Sequence, residues 1–543
     1  MNQIAFPILS SLIVIPIFGA LAVPFIDREK SAEIKGYALA VSLVNLAVAL
    51  VMLAGFRPGS SEMQWVEYAP WFPNLGISYH LGVDGISVLL VALTALLTPI
   101  AILAAWREMG AKAKEYVLFL LLLEAGVIGA FVALDLVIFF LFWEAMLIPM
   151  YLMIGVCGGE RRIYAALKFF LYTAVGSLLM LIAIVGLAVL FNGQTGQYSF
   201  DLAQLTAMQI PAQLGMWLFL AFAFAFAIKV PVFPLHAWLP DAYTQAPTAM
   251  LVLATMLVKV GAYGFLRFGL TLFPEQMAAA APVFIVLGVV GIVYASLIAI
   301  VQKDVVRLVA YSSVAHMAFI VLGIFSLNPQ GISGASLQMI NHSISTGGLF
   351  ILAAMVAERT RTTEIRSLGG LAHRWPVLAA LFTLVLFSSA GLPGLNGFPG
   401  EFLILLGTFQ VQPVAAIVAA SGVVLAAIYL LWMFQRTMHG EESAAGTGMG
   451  DLNRREIVTL APMVILIVWI GFFPTSLLGT MEASVGHLVS KVERVSQSSD
   501  IVSDAELYVL SNERQATVSK GQPQDTRQQE SGIRTQHLAL DWR

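Results

Sequence analysis

Apolar runs long enough to cross a hydrocarbon layer, about 20 residues each, recur from the first residues to about position 480, separated by short polar breaks. On that pattern about fourteen spans begin near residues 4, 35, 81, 115, 135, 163, 213, 247, 277, 305, 332, 376, 414 and 457. Ile4 to Val23 lacks a basic leading segment and a small-residue cleavage site, so it reads as the first span and not as a signal peptide. The pattern predicts an all-α polytopic membrane protein embedded in a lipid bilayer. From 488 to 543 Ser, Gln, Asp and Arg mix without an apolar run, which predicts a polar, disordered tail.

Proline interrupts two of these runs where a plain spanning helix would avoid it. One break is Lys229-Val-Pro231-Val-Phe-Pro234-Leu-His236-Ala-Trp-Leu-Pro240-Asp241; the other surrounds Pro393 and Pro399 and ends in Glu401. Proline removes a donor and frees a carbonyl one turn back, so such backbone survives at membrane depth only beside protein or internal water. Broken spans 7 and 12 are the fourth elements of two five-span units, 4–8 and 9–13, and an odd-numbered unit repeats upside down. Glu144 and Lys229 stand 85 residues apart, as do His316 and Glu401, which fits such a repeat. The expected organisation is spans 1–3 over 1–114, the first five-helix repeat over 115–275, the inverted second repeat over 276–440, span 14 over 441–487, and the tail over 488–543.

Composition supports the pattern: 59% of residues are hydrophobic and 11% charged, against about 25% charged in a soluble domain. A single cysteine, Cys157, excludes an intramolecular disulfide, a cysteine-ligated zinc and an iron–sulfur cluster. The Gly-rich stretch Gly391 to Gly400 lacks the preceding strand and the spacing of a phosphate cradle. No metal, nucleotide or other cofactor is expected in this chain. A net charge of −3 with dispersed basic residues offers no nucleic-acid surface. Lys and Arg are lopsided by loop parity: eighteen, from Arg28 to Arg455, fall on the side reached after odd spans, against Arg57 and Arg267 on the other. Basic loops stay cytoplasmic, so the N-terminus and the tail are expected outside.

Ionisable groups inside apolar spans cost several kcal/mol, and those that persist usually carry ions or protons. Glu144, Lys229, Lys259, His316, His342 and Glu401 form such a set, with Glu124 and Asp135 less central. Burial disfavours the charged form of a lysine or carboxyl and pairing restores it, so a moving partner can switch a lysine. An imidazole that accepts at one nitrogen and donates at the other relays between lysine and carboxylate. The competing readings are plain: a buried pair that only locks helices for Glu144 and Lys259, packing residues for the two histidines, and a polar cap of the Pro-rich break for His236. Lys303, Asp304, Arg307 and Tyr311 read as interfacial anchors.

Three stretches carry a family resemblance: Phe139-Phe-Leu-Phe-Trp143-Glu144-Ala-Met-Leu-Ile-Pro149, Lys229 through Pro247, and Ala310-Tyr-Ser-Ser-Val-Ala-His316. They resemble the antiporter-like membrane subunits of respiratory complex I, NADH:quinone oxidoreductase, and the related cation/proton antiporter complexes. The resemblance covers the chain to about residue 480. It implies that Glu144 pairs with Lys229 on the broken helix, that Lys259 is the central lysine, that His316 and His342 connect, and that Glu401 is the terminal group near the outer exit. The L and N branches of the family carry Lys at that last position and the M branch Glu. Thr346 stands where L-type chains place another Lys, and no long lateral helix is expected after span 14. The implied function is proton pumping from the bacterial cytoplasm across the inner membrane beside L-type and N-type subunits, with NADH oxidation and quinone reduction in partner chains and no redox site in this one. The nearest alternative on the same scaffold is a subunit of a multi-subunit sodium/proton antiporter or membrane-bound hydrogenase; one of another class is a passive structural scaffold. An exit that needs only a titratable group is expected to accept Asp or Lys at 401.

Overall fold

The computed structural model describes residues 7–442 and 448–494. The chain divides into two units, 1–492 and 493–543, and the expected tail lies outside the described residues from 495 onward.

Thirteen helices are long and apolar enough to cross a membrane among the described residues. Spans 1–6 are Ile8–Phe25, Ser31–Ala54, Ser87–Ala104, Gly110–Val132, Leu136–Cys157 and Arg162–Thr195. Span 7 contains Ala212–Lys229; spans 8–11 are Thr248–Leu272, Pro274–Ile300, Val305–Phe325 and Pro329–Thr360; spans 13 and 14 are Pro413–Met438 and Arg454–Phe472. Two shorter apolar helices, Pro376–Ser389 and Gly397–Val411, stand between spans 11 and 13 and make up span 12, so the architecture is all-α and polytopic with fourteen spans. Spans 8, 10 and 11 are 94–100% buried, whereas spans 2, 13 and 14 are 28–33% buried and turn apolar side chains such as Leu50, Ile417 and Ile465 outward. That inside-out arrangement suits a hydrocarbon solvent, which gives a helix no reason to hide leucine.

Both expected breaks are present, and the freed carbonyls are satisfied. In span 7, Ala212–Lys229 ends before Pro231 and a second helix runs from Trp238 to Gln245. Val232 N–H reaches back to Ala227 O, and the indole of Trp238 donates to Ile228 O at 2.8 Å. In span 12 the carbonyls of Phe387 and Ser388 accept from Leu392 and Gly391. A third break was not expected: span 5 is Leu136–Ala145 followed by Leu147–Cys157, with the helix interrupted at Met146. Pro149 is the cause, since it cannot donate to the carbonyl of Ala145, next to Glu144.

Three further features differ from the sequence reading. Span 3, expected near 81, begins at Ser87 because a hairpin of β1 (Gln64–Phe72) and β2 (Ile77–Val83) precedes it. Arg267, expected in a loop, lies in a π-turn, Phe265–Gly269, near the end of span 8, where it is 5% exposed. After span 14 a helix begins at 475 and runs to the end of the first unit at Val492, four residues beyond the expected start of the tail. Its buried positions, Leu477, Met481, Val485, Leu488 and Val489, recur at helical spacing. The polar composition from 488 onward masked this last amphipathic stretch.

Candidate functional site

The six central ionisable residues fall into two groups. Lys259 on span 8 is fully buried, and its Nζ is hydrogen-bonded to Nδ1 of His342 on span 11. The rings of His342 and His316, on span 10, meet edge to face with centroids 5.7 Å apart. Nδ1 of His316 stands 3.0 Å from Oε1 of Glu401 on span 12, although off the line that a hydrogen bond requires, since both His316 nitrogens lack a bonding partner among the described residues. Glu401 Oε1 also accepts from Gln338 Nε2 at 3.2 Å. Four titratable side chains from four spans thus stand in contact across the most buried part of the protein.

The broken helix shapes this end. Gly391 has φ +75°, and a Cβ there would stand 2.5 Å from Oε2 of Glu401, so only glycine lets the backbone turn that close to the carboxylate. Asn396, just past the break, donates to Asn341 O and bonds through Oδ1 to Ser388 and Ser345. A cavity of about 10 Å³ lies against both histidines, Gln338, Asn341, Ser345 and Ser388, close to the least volume that holds one water.

Lys229 stands apart from this group. It occupies the last turn of Ala212–Lys229, the negative end of the helix dipole, which favours a cation. Its Nζ rests over Trp143 at 5.0 Å and Phe169 at 5.8 Å. No ion pair joins it to Glu144 within 4.0 Å among the described residues, although Glu144 is the carboxylate whose field reaches it. Glu144 Oε1 is buried without a hydrogen-bond partner. The 85-residue spacing therefore yields a contact in the second repeat and none within 4.0 Å in the first, where Lys229 rests on the Trp143 and Phe169 rings. No hydrogen bond joins Lys229 to Lys259 among the described residues.

The accessory residues are placed differently. Glu124 is fully buried and accepts from Asn45 Nδ2 at 2.8 Å. Asp135 caps span 5 through Val137 and Ile138 and also accepts from both the backbone and the hydroxyl of Ser78, so its oxygens are engaged in holding the hairpin to span 5. His236 packs against Phe233 and Tyr294, with Nδ1 unpartnered. Gln338 was missed by sequence reasoning; it stands one turn before His342 in the stripe Gln338, Asn341, His342, Ser345, Thr346, whose helical spacing in span 11 was the available signal. Missed as well were the ion pairs Asp241–Lys168 at 2.6 Å, Asp241–Arg307 at 3.4 Å and Asp84–Arg267 at 2.6 Å.

With this geometry in view, residues 133–428 match the family model described as NADH:quinone oxidoreductase/Mrp antiporter, transmembrane. The chain is 43% identical over 502 residues to NADH-quinone oxidoreductase subunit M of Rhodobacter capsulatus, covering 89% of this chain and 96% of that one. It superposes with a TM-score of 0.81 and 34% identity on a chain of respiratory complex I from Thermus thermophilus, covering 89% and 99% of the two. A chain of the Mrp complex from Dietzia shares the fold, with a TM-score of 0.77 at 22% identity over 90% of this chain and 100% of that one. The broken spans, the buried lysines and these matches over nine-tenths of the sequence agree: this chain belongs to the NADH:quinone oxidoreductase/Mrp antiporter transmembrane family.

Proposed function

We propose that this chain is a proton-translocating, antiporter-like subunit of the membrane arm of NADH:quinone oxidoreductase, in which protons pass from Lys259 through His342 and His316 to Glu401. The observation that carries the reading is the continuous line of side-chain contacts between those four residues. His342 takes a proton at Nδ1 from the Lys259 ammonium and releases one at Nε2, which has no bonding partner among the described residues, to the His316 ring beside it. His316 passes it to Glu401, 3.0 Å away. An imidazole can do both because one ring nitrogen donates while the other accepts.

Lys229 and Glu144 act upstream. A shift in the charge or position of Glu144 alters the field on a lysine held only by aromatic faces, and its proton then moves toward Lys259 over a distance that the side chains do not span. The direction proposed is from the Lys- and Arg-rich side, taken as the cytoplasm of a bacterium, to the outside, with the N-terminus and tail outside. The redox chemistry is assigned to partner chains, the neighbours in the membrane to L-type and N-type subunits, and no cofactor to this chain. The names of the relatives and the carboxylate at 401 support this setting.

The test is Glu401→Gln against Glu401→Asp in the assembled complex. NADH-driven proton uptake into inverted vesicles should be lost in the first and retained in the second, because a terminal carrier needs an ionisable group. Normal pumping by Glu401→Gln would place the exit elsewhere.

A further inference from the structure

A second line of polar groups lies on the face of span 8 that carries Lys259, with no hydrogen bond joining Lys259 to it among the described residues and the Tyr263 hydroxyl donating to Phe131 O. Lys259, Tyr263 and Arg267 recur every four residues, so they share one face of span 8. Arg267 Nε donates to Tyr263 Oη at 2.8 Å, and Arg267 Nη2 pairs with Asp84 Oδ2 at 2.6 Å. Asp84 follows β2 directly, so this line of polar groups leads from the centre of the protein to the side that carries the hairpin. Every member is buried: Lys259 0%, Tyr263 1%, Asp84 2% and Arg267 5% exposed. The far end is covered by the helix that begins at 475, because Gly85 N–H donates to Ser484 Oγ and a Cβ on Gly85 would stand 2.0 Å from Thr480 O.

We infer that the Arg267–Asp84 pair is an electrostatic seal, which closes the hairpin-side end of span 8 so that a proton on Lys259 leaves only through His342. This rests on the relay proposed above. A guanidinium keeps its proton at any accessible pH, so Arg267 can neither accept the proton nor pass it on, and its buried side chain, held by Asp84, plugs that end of the span. Asp84 holds that charge in place, with Oδ2 on Arg267 and Oδ1 accepting from the backbones of Ile86 and Ser87. The π-turn adds a residue to the helix where the guanidinium meets Tyr263, a device that recurs at functional positions. A pair that merely locked spans 3 and 8 would have no need to stand in line with Lys259, and buried pairs are commonly replaced by neutral groups without loss of stability.

The test uses the whole complex in phosphatidylcholine proteoliposomes without NADH, with a potassium diffusion potential imposed by valinomycin and an internal pH dye reading passive proton entry. The double variant Asp84→Asn/Arg267→Met removes both charges together and keeps the Asn oxygen as cap. It should leak several-fold faster than the native complex while NADH:quinone activity persists. Adding Lys259→Met should stop the leak. An assembled double variant as tight as the native complex would overturn the seal, as would a leak that survives Lys259→Met. Should the double variant not assemble, Arg267→Gln is read in the same way, and failure of both to assemble would assign the pair to folding and overturn the seal. If Lys259→Arg alone leaves pumping intact, the relay itself falls; a Lys259-dependent pump with a tight double variant overturns the seal alone.

Discussion

Replacing Lys259 by arginine separates a proton carrier from a charge that only holds helices together. Lys259 is fully buried with one bonding partner, Nδ1 of His342. Arginine keeps the positive charge at that point but holds its proton far above any accessible pH, so at pH 7 roughly one molecule in a million is neutral. A carrier must be neutral once per cycle. Even a thousandfold allowance for perturbation by the site leaves throughput down by about a factor of a thousand, and pumping should fall below detection. The guanidinium brings five N–H donors to a site that offers His342 Nδ1 and, near it, the unpartnered Oδ1 of Asn341. Each donor left unsatisfied costs about 1–3 kcal/mol, so assembly needs its own readout. The assay is NADH-driven acridine-dye quenching in inverted vesicles, with assembly followed on native gels and Lys259→Met as a second variant without the added donors. A scaffold role predicts that Arg works and Met fails. Pumping at close to the native rate by the assembled Arg variant would refute the relay.

Glu144→Gln and Lys229→Ala should each leave the complex assembled while removing most pumping and slowing quinone reduction, because each is half of one electrostatic switch; unaltered pumping in both would end that idea. The field of Glu144 reaches Lys229 without a bond, so Glu144→Gln is expected to leave the lysine seated on Trp143 and Phe169, a contact worth about 2 kcal/mol when desolvated. Glu108, an exposed residue between spans 3 and 4, caps the start of span 8 by accepting from Thr248 N–H, and partial desolvation of its carboxyl raises its pKa against the bonds that Thr248 and Tyr116 supply, a shift that solvent screening keeps small. A raised folded pKa stabilises at pH below the ordinary carboxylate value, and that contribution is lost as pH rises through the raised value. The thermal midpoint of the complex should therefore fall less steeply on raising pH in Glu108→Gln than in the native chain, and parallel pH profiles would refute it.

Much of this was legible in the chain because the bilayer restricts the choices. A hydrocarbon solvent forces every backbone donor into a helix, so span positions follow from apolar length, and an ionisable residue inside a span declares itself. Lys259, His316, His342 and Glu401 were all visible in that way, and the structure brings them together. The hairpin was hidden because β2, Ile-Ser-Tyr-His-Leu-Gly-Val, runs straight into the apolar start of span 3 and reads as part of it. Arg267 was misread because a lone arginine near a span end looks like an interfacial anchor, and only the distant Asp84 shows that it is paired and buried. The direct Glu144–Lys229 pair, implied by family resemblance, is replaced by a lysine on aromatic rings, a choice that depends on where Trp143 points and not on spacing.

The two broken spans also explain why the residues at their breaks differ in sign, and this narrows what position 401 accepts. Lys229 ends the first half of its span, where the last carbonyls of a helix give a negative potential; Glu401 stands one turn inside the helix Gly397–Val411, nearer an end whose free N–H groups give a positive one. The rest of the environment points the same way. Gln338 donates to Glu401, His316 stands 3.0 Å from it, and Gly391 leaves no room beside Oε2. A lysine there would meet donors with donors and carry a longer chain into a space closed by backbone. The sequence-based expectation that this exit accepts Lys, like Asp, far better than Gln therefore gives way to a sharper one. Glu401→Asp should retain at least half of the native pumping rate, whereas Glu401→Lys should behave like Glu401→Gln in vesicle quenching although its side chain titrates. Near-native pumping by Glu401→Lys would show that the exit asks only for an ionisable group, and that the donor-rich surroundings of Glu401 do not set its sign.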